Sequence, residues 1–498
     1  MRITILFGGP AGTGPNIISN LLGKALVEQG WYVFYSRDYE SLIRGGHNFN
    51  VLTFSDKPVY SNDSKIDILV ALDENTEKIH KPILKKDNII LNGKHQNMYF
   101  AGRIFKLLCI DFKILEKQLK TLKKNLQENL EEAKKGYTEE KKNFCTIISK
   151  KTDNYFMNGS QGIAEGAIKS GIDVYYAYPM TPATSILGEL AEKQLENNIL
   201  VLELESELAV INAAIGSSLT GAKAMIGTSG GGFDLMTEAL SMTGMAEIPL
   251  VIYLSQRPGP GTGVATYTSQ GDLNAALKSG HGEFSRTVFA PGDPLESQEL
   301  VSQAFYFSQK YKIPSIILGD KHLAECFYTI DKKPEITKSE KTMKLARYNS
   351  YEADKSTMSA TEDPEIIEKN SINRLKKKIS LEKEAKSFTQ YKVYGNKNSK
   401  NVIVSWGSTK GAIFDAIKDL NCKFVQLLYL EPFPKGINKE IKDSNILIVE
   451  NNLESPLSSL LAEKLGIFIQ DKNKILKFNG RPFLADELNE EIKKRLKT

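Results

Sequence analysis

Tyr178-Pro179-Met180-Thr181-Pro182 joins two runs of different periodicity, and this junction is the first place where the chain offers chemistry. Val174–Ala177 before it are β-branched and aromatic and predict a buried strand. After it, Ile186, Leu187, Leu190, Ala191 and Leu195 recur at helical spacing, with Thr181 at the expected N-cap and Pro182 at the first helical position. A helix N-terminus at the end of a parallel strand offers free N–H groups and a partial positive charge, which suits a carboxylate or phosphate. The plainer reading is that Thr181 only caps its helix.

Other stretches invite ligand readings of their own. Gly8-Gly9-Pro10-Ala11-Gly12-Thr13-Gly14 is a glycine-rich turn between a strand over 2–7 and an apolar helix over about 16–29. With a strand at 31–35 this makes a βαβ unit. A dinucleotide fingerprint counted from Gly12 and Gly14 needs glycine where Ile17 stands, and a P-loop needs lysine where Pro15 stands. The loop is left as a backbone phosphate cradle or a tight turn. Arg44-Gly45-Gly46-His47-Asn48 suggests backbone approaching a ligand closely, or a hairpin turn before a strand at 49–54. Ser255-Gln256-Arg257-Pro258-Gly259-Pro260-Gly261-Thr262-Gly263 is neither helix nor strand and reads as an exposed functional loop or linker.

The elements that must position these residues fill 498 residues, enough for several cores. A net charge of +5 is small for this length and gives no argument for nucleic acid or membrane. Cys109, Cys145, Cys326 and Cys422 lie far apart, with no Cys-x-x-Cys and no disulfide framework, which fits a reducing cytoplasm. No apolar run reaches the roughly 18 residues of a membrane helix, and the start reads as a first strand rather than a signal peptide.

In order, a small α/β domain occupies 1–111, with strands at 66–71 and 88–91. A charged helical connection follows over 112–157. There Leu115, Leu119, Leu122, Leu126 and Leu130 form one narrow stripe that predicts a single long helix. A second domain, 158–331, alternates strands and helices: a helix over 159–170, strands at 174–178 and 200–204, a helix over 208–219, and a strand at 222–227. A helix over 234–244 and strands at 249–254 and 315–318 follow, the last expected to close the sheet. Residues 332–396 form a polar linker with a helix over 364–381. In the last domain, 397–498, strands at 402–405, 424–430 and 446–449 alternate with helices over 409–420, 435–442 and 456–465, as in a parallel α/β domain.

Taken together, Tyr178-Pro179-Met180-Thr181-Pro182, Glu205-Ser206-Glu207, Thr228-Ser229-Gly230-Gly231-Gly232-Phe233, Gln256-Arg257-Pro258-Gly259-Pro260 with Thr262-Gly263, and Gly280-His281-Gly282-Glu283-Phe284 resemble the 2-oxoacid:ferredoxin oxidoreductase α subunits. Gly407-Ser408-Thr409-Lys410-Gly411, Pro432-Phe433-Pro434, Glu450-Asn451-Asn452 and Gly480-Arg481-Pro482-Phe483 extend the resemblance to the last domain. The N-terminal glycine loop and Arg44–Asn48 resemble the γ domain that some members carry fused before α.

The resemblance implies an α/β chain of three domains: a γ-type α/β domain, a thiamine-enzyme pyrimidine-type domain and a transketolase C-terminal-like domain. It implies a cytoplasmic enzyme that oxidises a 2-oxoacid with coenzyme A to acyl-CoA and CO₂, using thiamine diphosphate and passing electrons through an iron–sulfur cluster to ferredoxin. The diphosphate site needs Gly-Asp-Gly and a downstream Asn, whereas this chain has Gly319-Asp320-Lys321 and no cluster cysteines. The diphosphate, its Mg²⁺ and the [4Fe-4S] cluster therefore belong, by resemblance, to a separate β subunit. Where the family usually has proline after Thr262-Gly263, this chain has Val264-Ala265-Thr266. Where it usually has Gly-Gln, this chain has Ser455-Pro456, and the first domain and linker are short.

By the same resemblance, Glu207 is expected to hydrogen-bond the thiamine pyrimidine, with Glu205 as the second candidate and Glu203 also at period two. Burial against the cofactor would suit such a carboxyl to proton sharing. Arg257 ends a buried strand before a glycine-rich loop and pairs bidentately with the substrate carboxylate, or else clamps its own loop. Thr181 and Thr266 supply hydroxyls beside it. Gly12, Gly14, Arg44, Gly45 and Gly46 remain ligand-loop candidates. A fused γ domain favours 2-oxoglutarate over pyruvate or branched-chain 2-oxoacids. The alternative class is an assembly or regulatory subunit that has lost activity, for which Val264-Ala265 is the sequence hint.

Overall fold

The computed structural model describes residues 1–41, 45–122, 125–342 and 350–496. β1 (Arg2–Ala11) is buried from Ile3 to Gly9, and Gly14, at φ 89°, turns the chain into α1 (Pro15–Glu28). β2 (Tyr32–Asp38), β3 (Gly45–Ser55), β4 (Ile66–Ala71), α2 (Glu74–His80) and β5 (Leu84–Leu91) follow. β1 and β2 are joined by a helix as expected, but they are not neighbours. β3 lies between them, antiparallel to both, pairing Thr53 with Thr4 and with Phe34.

α3 (Asn97–Leu107), α4 (Phe112–Leu119) and α5 (Leu126–Glu139) correct the expectation of one long helix. Asn125 takes a left-handed φ of 53° at the start of α5 and ends the stripe's continuity. The break lets α5 fold onto α3. A Cβ at Gly102 would lie 1.9 Å from the Ala133 carbonyl, and one at Gly136 would lie 1.9 Å from the Tyr99 carbonyl. Leu115 and Leu119 enter the core while Leu126 is exposed. The narrow stripe thus serves two separate helices, α4 and α5, the second folded onto α3, an outcome that periodicity does not distinguish from one straight helix. β6 (Tyr155–Asn158) then leads out, and Asn158 and Gln161 form a capping box on α6 (Gly159–Lys169).

The second sheet is built from β7 (Val174–Ala177), α7 (Thr184–Asn197), β8 (Leu200–Glu203), α8 (Glu207–Leu219), β9 (Ala224–Thr228) and α9 (Gly230–Ala246). β10 (Leu250–Gln256), α10 (Leu273–Lys278), β11 (Thr287–Phe289), α11 (Pro294–Tyr311) and β12 (Pro314–Asp320) continue it. β9, β10 and β12 are buried along their full length, as parallel strands covered on both faces must be. After α12 (Lys321–Glu325), β13 (Phe327–Ile330) returns to the first sheet, antiparallel to β2 and β6. That sheet reads β5-β4-β1-β3-β2-β13-β6.

The linker's α13 (Pro364–Ala385) packs on α11, with Tyr311 and Lys310 holding Glu384. The third sheet follows from β14 (Tyr391–Gly395), β15 (Asn401–Trp406), α14 (Thr409–Ala416) and β16 (Lys423–Leu427). The strand expected at 424–430 is divided: β17 (Tyr429–Glu431) crosses to the edge of the second sheet beside β11. β12 therefore does not close that sheet, whose order is β17-β11-β12-β10-β9-β7-β8. α15 (Asn438–Ile441), β18 (Asn445–Glu450), α16 (Pro456–Leu465), β19 (Lys474–Leu476) and α17 (Ala485–Leu496) complete an order of β14-β16-β15-β18-β19. Only β14 is antiparallel in it. One apolar core containing Leu254, Leu318, Val404, Trp406 and Leu427 runs through the second and third sheets. Among the described residues, no helix is long and apolar enough to cross a membrane.

Candidate active site

β7, β9 and β10 are adjacent and parallel, so their carboxyl ends, at Ala177, Thr228 and Gln256, lie along one edge. α8 and α9 open at that edge, where parallel sheets bind ligands. The Ser206 side chain caps α8 by accepting the Ala209 N–H at 3.2 Å.

Thr181 does not cap α7. That helix begins at Thr184, with Ala183 at its N-cap. The Thr184 N–H reaches the Met180 carbonyl at 3.0 Å, so residues 180–183 close a turn of their own before the helix starts. The Thr181 carbonyl instead accepts a hydrogen bond from Arg257 Nη1 at 2.8 Å. The local sequence pattern showed a helix start but not the contact, 76 residues away, that claims this turn.

Glu207 is the first residue of α8 and is buried, while Glu203 and Glu205 are exposed. β8 is an edge strand that ends at Glu203, and Glu205 lies in the bend after it, so both stay exposed until the chain turns into the helix. Gly232, in the first turn of α9, faces Glu207 directly. A Cβ there would lie 2.9 Å from Glu207 Cγ, 2.5 Å from Met180 Sδ and 2.3 Å from Thr228 Oγ1. Only glycine lets α9 come this close.

Arg257 is 9% exposed at the end of β10, and its Nε has no hydrogen-bond partner. Burial pulls its guanidinium down from the ordinary value, against the opposing effect of Asp272. Ser229 Oγ and Asp272 Oδ2 are also buried without partners. The segments meet here: a Cβ at Gly230 would lie 2.8 Å from Asp272 Oδ2, and one at Gly231 would lie 3.5 Å from the Gly261 carbonyl. An unpartnered buried polar atom costs about 1–3 kcal/mol. Three such atoms on converging segments mark a place that another molecule completes.

The loop after Arg257 is fixed from behind by the third sheet. Gly263, at φ 57°, lets the Val264 N–H reach the Pro258 carbonyl at 2.9 Å, and a Cβ there would collide with that carbonyl. Thr266 is buried within the loop, and its hydroxyl makes no hydrogen bond to Thr181 or Arg257 among the described residues. Arg481 lies 3.7 Å over the Tyr267 ring and pairs with Asp38 of β2 at 2.7 Å, so all three sheets contact this loop's support. Gln270 donates to the Trp406 carbonyl at 2.8 Å and accepts the Asn451 N–H at 2.9 Å, and Asn452 donates to the Gln270 carbonyl at 3.0 Å. Glu450 organises that end, accepting from Trp406 Nε1 at 2.8 Å and Ser455 Oγ at 2.8 Å. Ser455 takes φ 53°, a left-handed conformation that glycine adopts more easily.

Sequence reasoning gave Gln256 no role of its own and did not single out Gln270 or Asp272. Gln256 donates to the Gly319 carbonyl at 2.9 Å and accepts the Asp272 N–H at 3.0 Å, tying the strand end to the residue opposite Arg257. The polar run Ser269–Asp272, just before a helix, was the available signal. Gly319-Asp320-Lys321 is a helix start: Asp320 accepts the Leu323 N–H at 2.9 Å and the Ser408 hydroxyl at 2.6 Å.

The N-terminal candidates belong to a different sheet. Gly12 has φ 93°, and a Cβ at Gly14 would lie 2.0 Å from Asn97 Nδ2. Gly45 pairs with Ala11 across β1 and β3, Gly46 has φ 65°, and Arg44 lies outside the described residues. His47 meets His80 at 2.7 Å between Nε2 atoms, and burial, with His47 beside it, pulls His80 down to about 4.

Residues 165–392 match the sequence family described as pyruvate flavodoxin/ferredoxin oxidoreductase, thiamine diP-bdg, and residues 4–95 match pyruvate ferredoxin/flavodoxin oxidoreductase. The chain is 31% identical to a 2-oxoacid:ferredoxin oxidoreductase subunit alpha of Sulfolobus sp, over 100% of this chain and 97% of that one. It is 30% identical to the 2-oxoglutarate synthase subunit KorA of Methanocaldococcus jannaschii, over 60% of this chain and 88% of that one. The solved 2-oxoglutarate:ferredoxin oxidoreductase from Magnetococcus marinus superimposes with a TM-score of 0.88 at 22% identity, covering 99% of both chains, which establishes the shared fold.

Proposed function

The chain belongs to the thiamine diphosphate-dependent 2-oxoacid:ferredoxin oxidoreductases, and from that premise we propose that it is the γα-fused subunit of an enzyme converting 2-oxoglutarate and coenzyme A to succinyl-CoA and CO₂. The 2-oxoglutarate preference rests on the KorA relatives and on the fused γ-type domain carried by the first sheet. The second sheet carries the pyrimidine-type domain and the third the transketolase C-terminal-like one. The boundaries at 111, 157, 331 and 396 belong to this reading.

The side chains present fit the cofactor. Glu207 is a buried carboxyl facing Gly232, and Ser229, Arg257 and Asp272 hold unmatched buried polar atoms on the converging segments. When bound, thiamine diphosphate would supply a nucleophilic carbon for addition to a 2-oxo group. Glu207 would hold the pyrimidine ring nitrogen by a hydrogen bond and share a proton with it. Arg257 binds the substrate carboxylate through its unpartnered N–H side, while the Thr181 carbonyl fixes the guanidinium's orientation. Thr181 and Thr266 hydroxyls line the same approach. A β subunit brings Mg²⁺, the diphosphate site and the [4Fe-4S] cluster, and ferredoxin takes the electrons.

The observation that carries this reading is a buried arginine held at a strand end by the Thr181 carbonyl with its Nε unmatched, at the same Met180–Thr181 turn that lies near the buried Glu207. The test is CoA-dependent ferredoxin reduction by the complex across 2-oxoglutarate, pyruvate and 2-oxoisovalerate. The highest kcat/KM belongs to 2-oxoglutarate. A higher value for another 2-oxoacid overturns the substrate assignment, and no turnover with any of them overturns the catalytic one.

A further inference from the structure

Asp272 has no role in the chemistry above, yet it faces the residue on which that chemistry depends. Its Oδ2 is buried without a partner, as is Arg257 Nε, and no ion pair closes between them. The Gln256 side chain holds the Asp272 backbone from β10, the missing side chain of Gly230 on α9 leaves the space its carboxyl occupies, and Gln270 anchors the segment to the third sheet. The carboxyl therefore stays near the guanidinium but does not neutralise it by direct contact.

We propose that Asp272 is a positioning residue for Arg257 that takes up a proton when the carboxylate of the 2-oxoacid docks. This rests on the reading of Arg257 as the carboxylate binder. Two carboxylates served by one guanidinium in a buried site repel each other, and the cheaper arrangement protonates the one that belongs to the protein. Its unmatched oxygen then carries the proton as a donor at the wall of the site. The charged groups acting on Asp272 are Asp234, from α9, and Arg257, from the end of β10. Burial and Asp234 push its carboxyl up to about 6, against the pull of Arg257, so the proton is available near neutral pH. Substrate binding that requires this proton weakens as pH rises above about 6, by up to roughly tenfold per unit.

The experiment uses the assembled complex. Calorimetry with 2-hydroxyglutarate, which carries the same carboxylates but no 2-oxo group, in buffers of different ionisation enthalpy at pH 7 counts protons. The wild type takes up on the order of one proton per site, and KM for 2-oxoglutarate rises from pH 6 to 8. Asp272→Asn takes up none at this step, and its KM is flat over that range. Asp234→Asn, an exposed position, keeps the proton uptake but starts the rise at lower pH, because it removes a like charge. Equal proton uptake in Asp272→Asn and wild type overturns the proposal, as does an unmoved profile in Asp234→Asn if the first variant fails to assemble. Arg257→Ala separates the layers. If 2-hydroxyglutarate binds it as tightly as wild type, the reading of Arg257 fails. If binding is lost there while Asp272→Asn keeps its proton uptake, only the present inference fails.

Discussion

Arg257 and Glu207 show what a single residue reveals before and after folding. Arg257→Ala removes a charged hydrogen bond to substrate worth about 1.5–3 kcal/mol, so KM for the 2-oxoacid rises at least about tenfold. Arg257→Lys recovers only part, because a point charge does not reproduce the two-pronged geometry. Thiamine diphosphate affinity hardly changes. An unchanged KM with collapsed cofactor affinity or assembly would mean that Arg257 clamps Thr181 and nothing else. Glu207→Gln lowers turnover by roughly 10²- to 10⁴-fold with the complex intact. Near-normal exchange of the thiazolium C2 proton would point to a different glutamate. The sequence placed Glu203, Glu205 and Glu207 on one alternation and could not rank them by burial; the end of the edge strand and the bend expose the first two, and the helix start buries Glu207. Thr181 was misread as a cap because the partner of its carbonyl comes from another strand. Asp272 was overlooked because an aspartate before a helix ordinarily caps it, and here its side chain makes no cap hydrogen bond.

Among elements, individual strands and helices of the second and third sheets were legible because apolar runs between turns are a local property. The partners of the strands were not. β3 slipping between β1 and β2, and β17 leaving its own run for the second sheet, are decided by which edges remain open after folding. The join between those two sheets has its own electrostatics. Glu296 of α11 meets Lys410 of α14 at 2.7 Å, Lys392 of β14 at 2.9 Å and Gln426 of β16 at 2.7 Å. Burial would raise the Glu296 carboxyl, but the two ammonium groups outweigh it and hold it well below the usual carboxylate range. A depressed carboxyl contributes stability that is present above its ordinary value of 4.5 and is lost as pH falls from there toward the lowered folded value. Glu296→Ala leaves buried Lys410 with less compensation and costs about 3–5 kcal/mol. In denaturant titrations at pH 7 the variant unfolds correspondingly earlier, and the gap to wild type narrows in acid. A gap that is constant with pH would show that the ion pairs contribute nothing.

At the scale of the whole molecule, apolar side chains are exposed in the segments that carry the site. Tyr178, Leu208 and Leu235 are exposed within a few residues of Thr181, Glu207 or Gly232, Val264 is exposed in the loop after Arg257, and Leu200 and Leu202 are exposed along edge strand β8. Clustered apolar exposure beside a functional edge marks an interaction surface. The four cysteines are spread through the chain, with Cys326 and Cys422 buried. On the proposed function, the iron–sulfur cluster belongs to a β subunit, and we propose this exposed apolar surface as the place where that subunit seats. Two results follow. The isolated chain shows no iron–sulfur absorption and no turnover, and both appear when the partner is added. Leu208→Glu places a charge on the first turn of α8, at 51% exposure, where the free chain tolerates it. Its thermal midpoint alone matches wild type, while sedimentation with the partner shows loss of the complex and ferredoxin reduction falls in proportion. Leu195→Glu, which is 93% exposed at the far end of α7, serves as the control and assembles normally. If Leu208→Glu assembles and turns over like wild type, the partner does not close over Glu207. If the isolated chain turns over 2-oxoacid without a partner, the divided site itself is wrong.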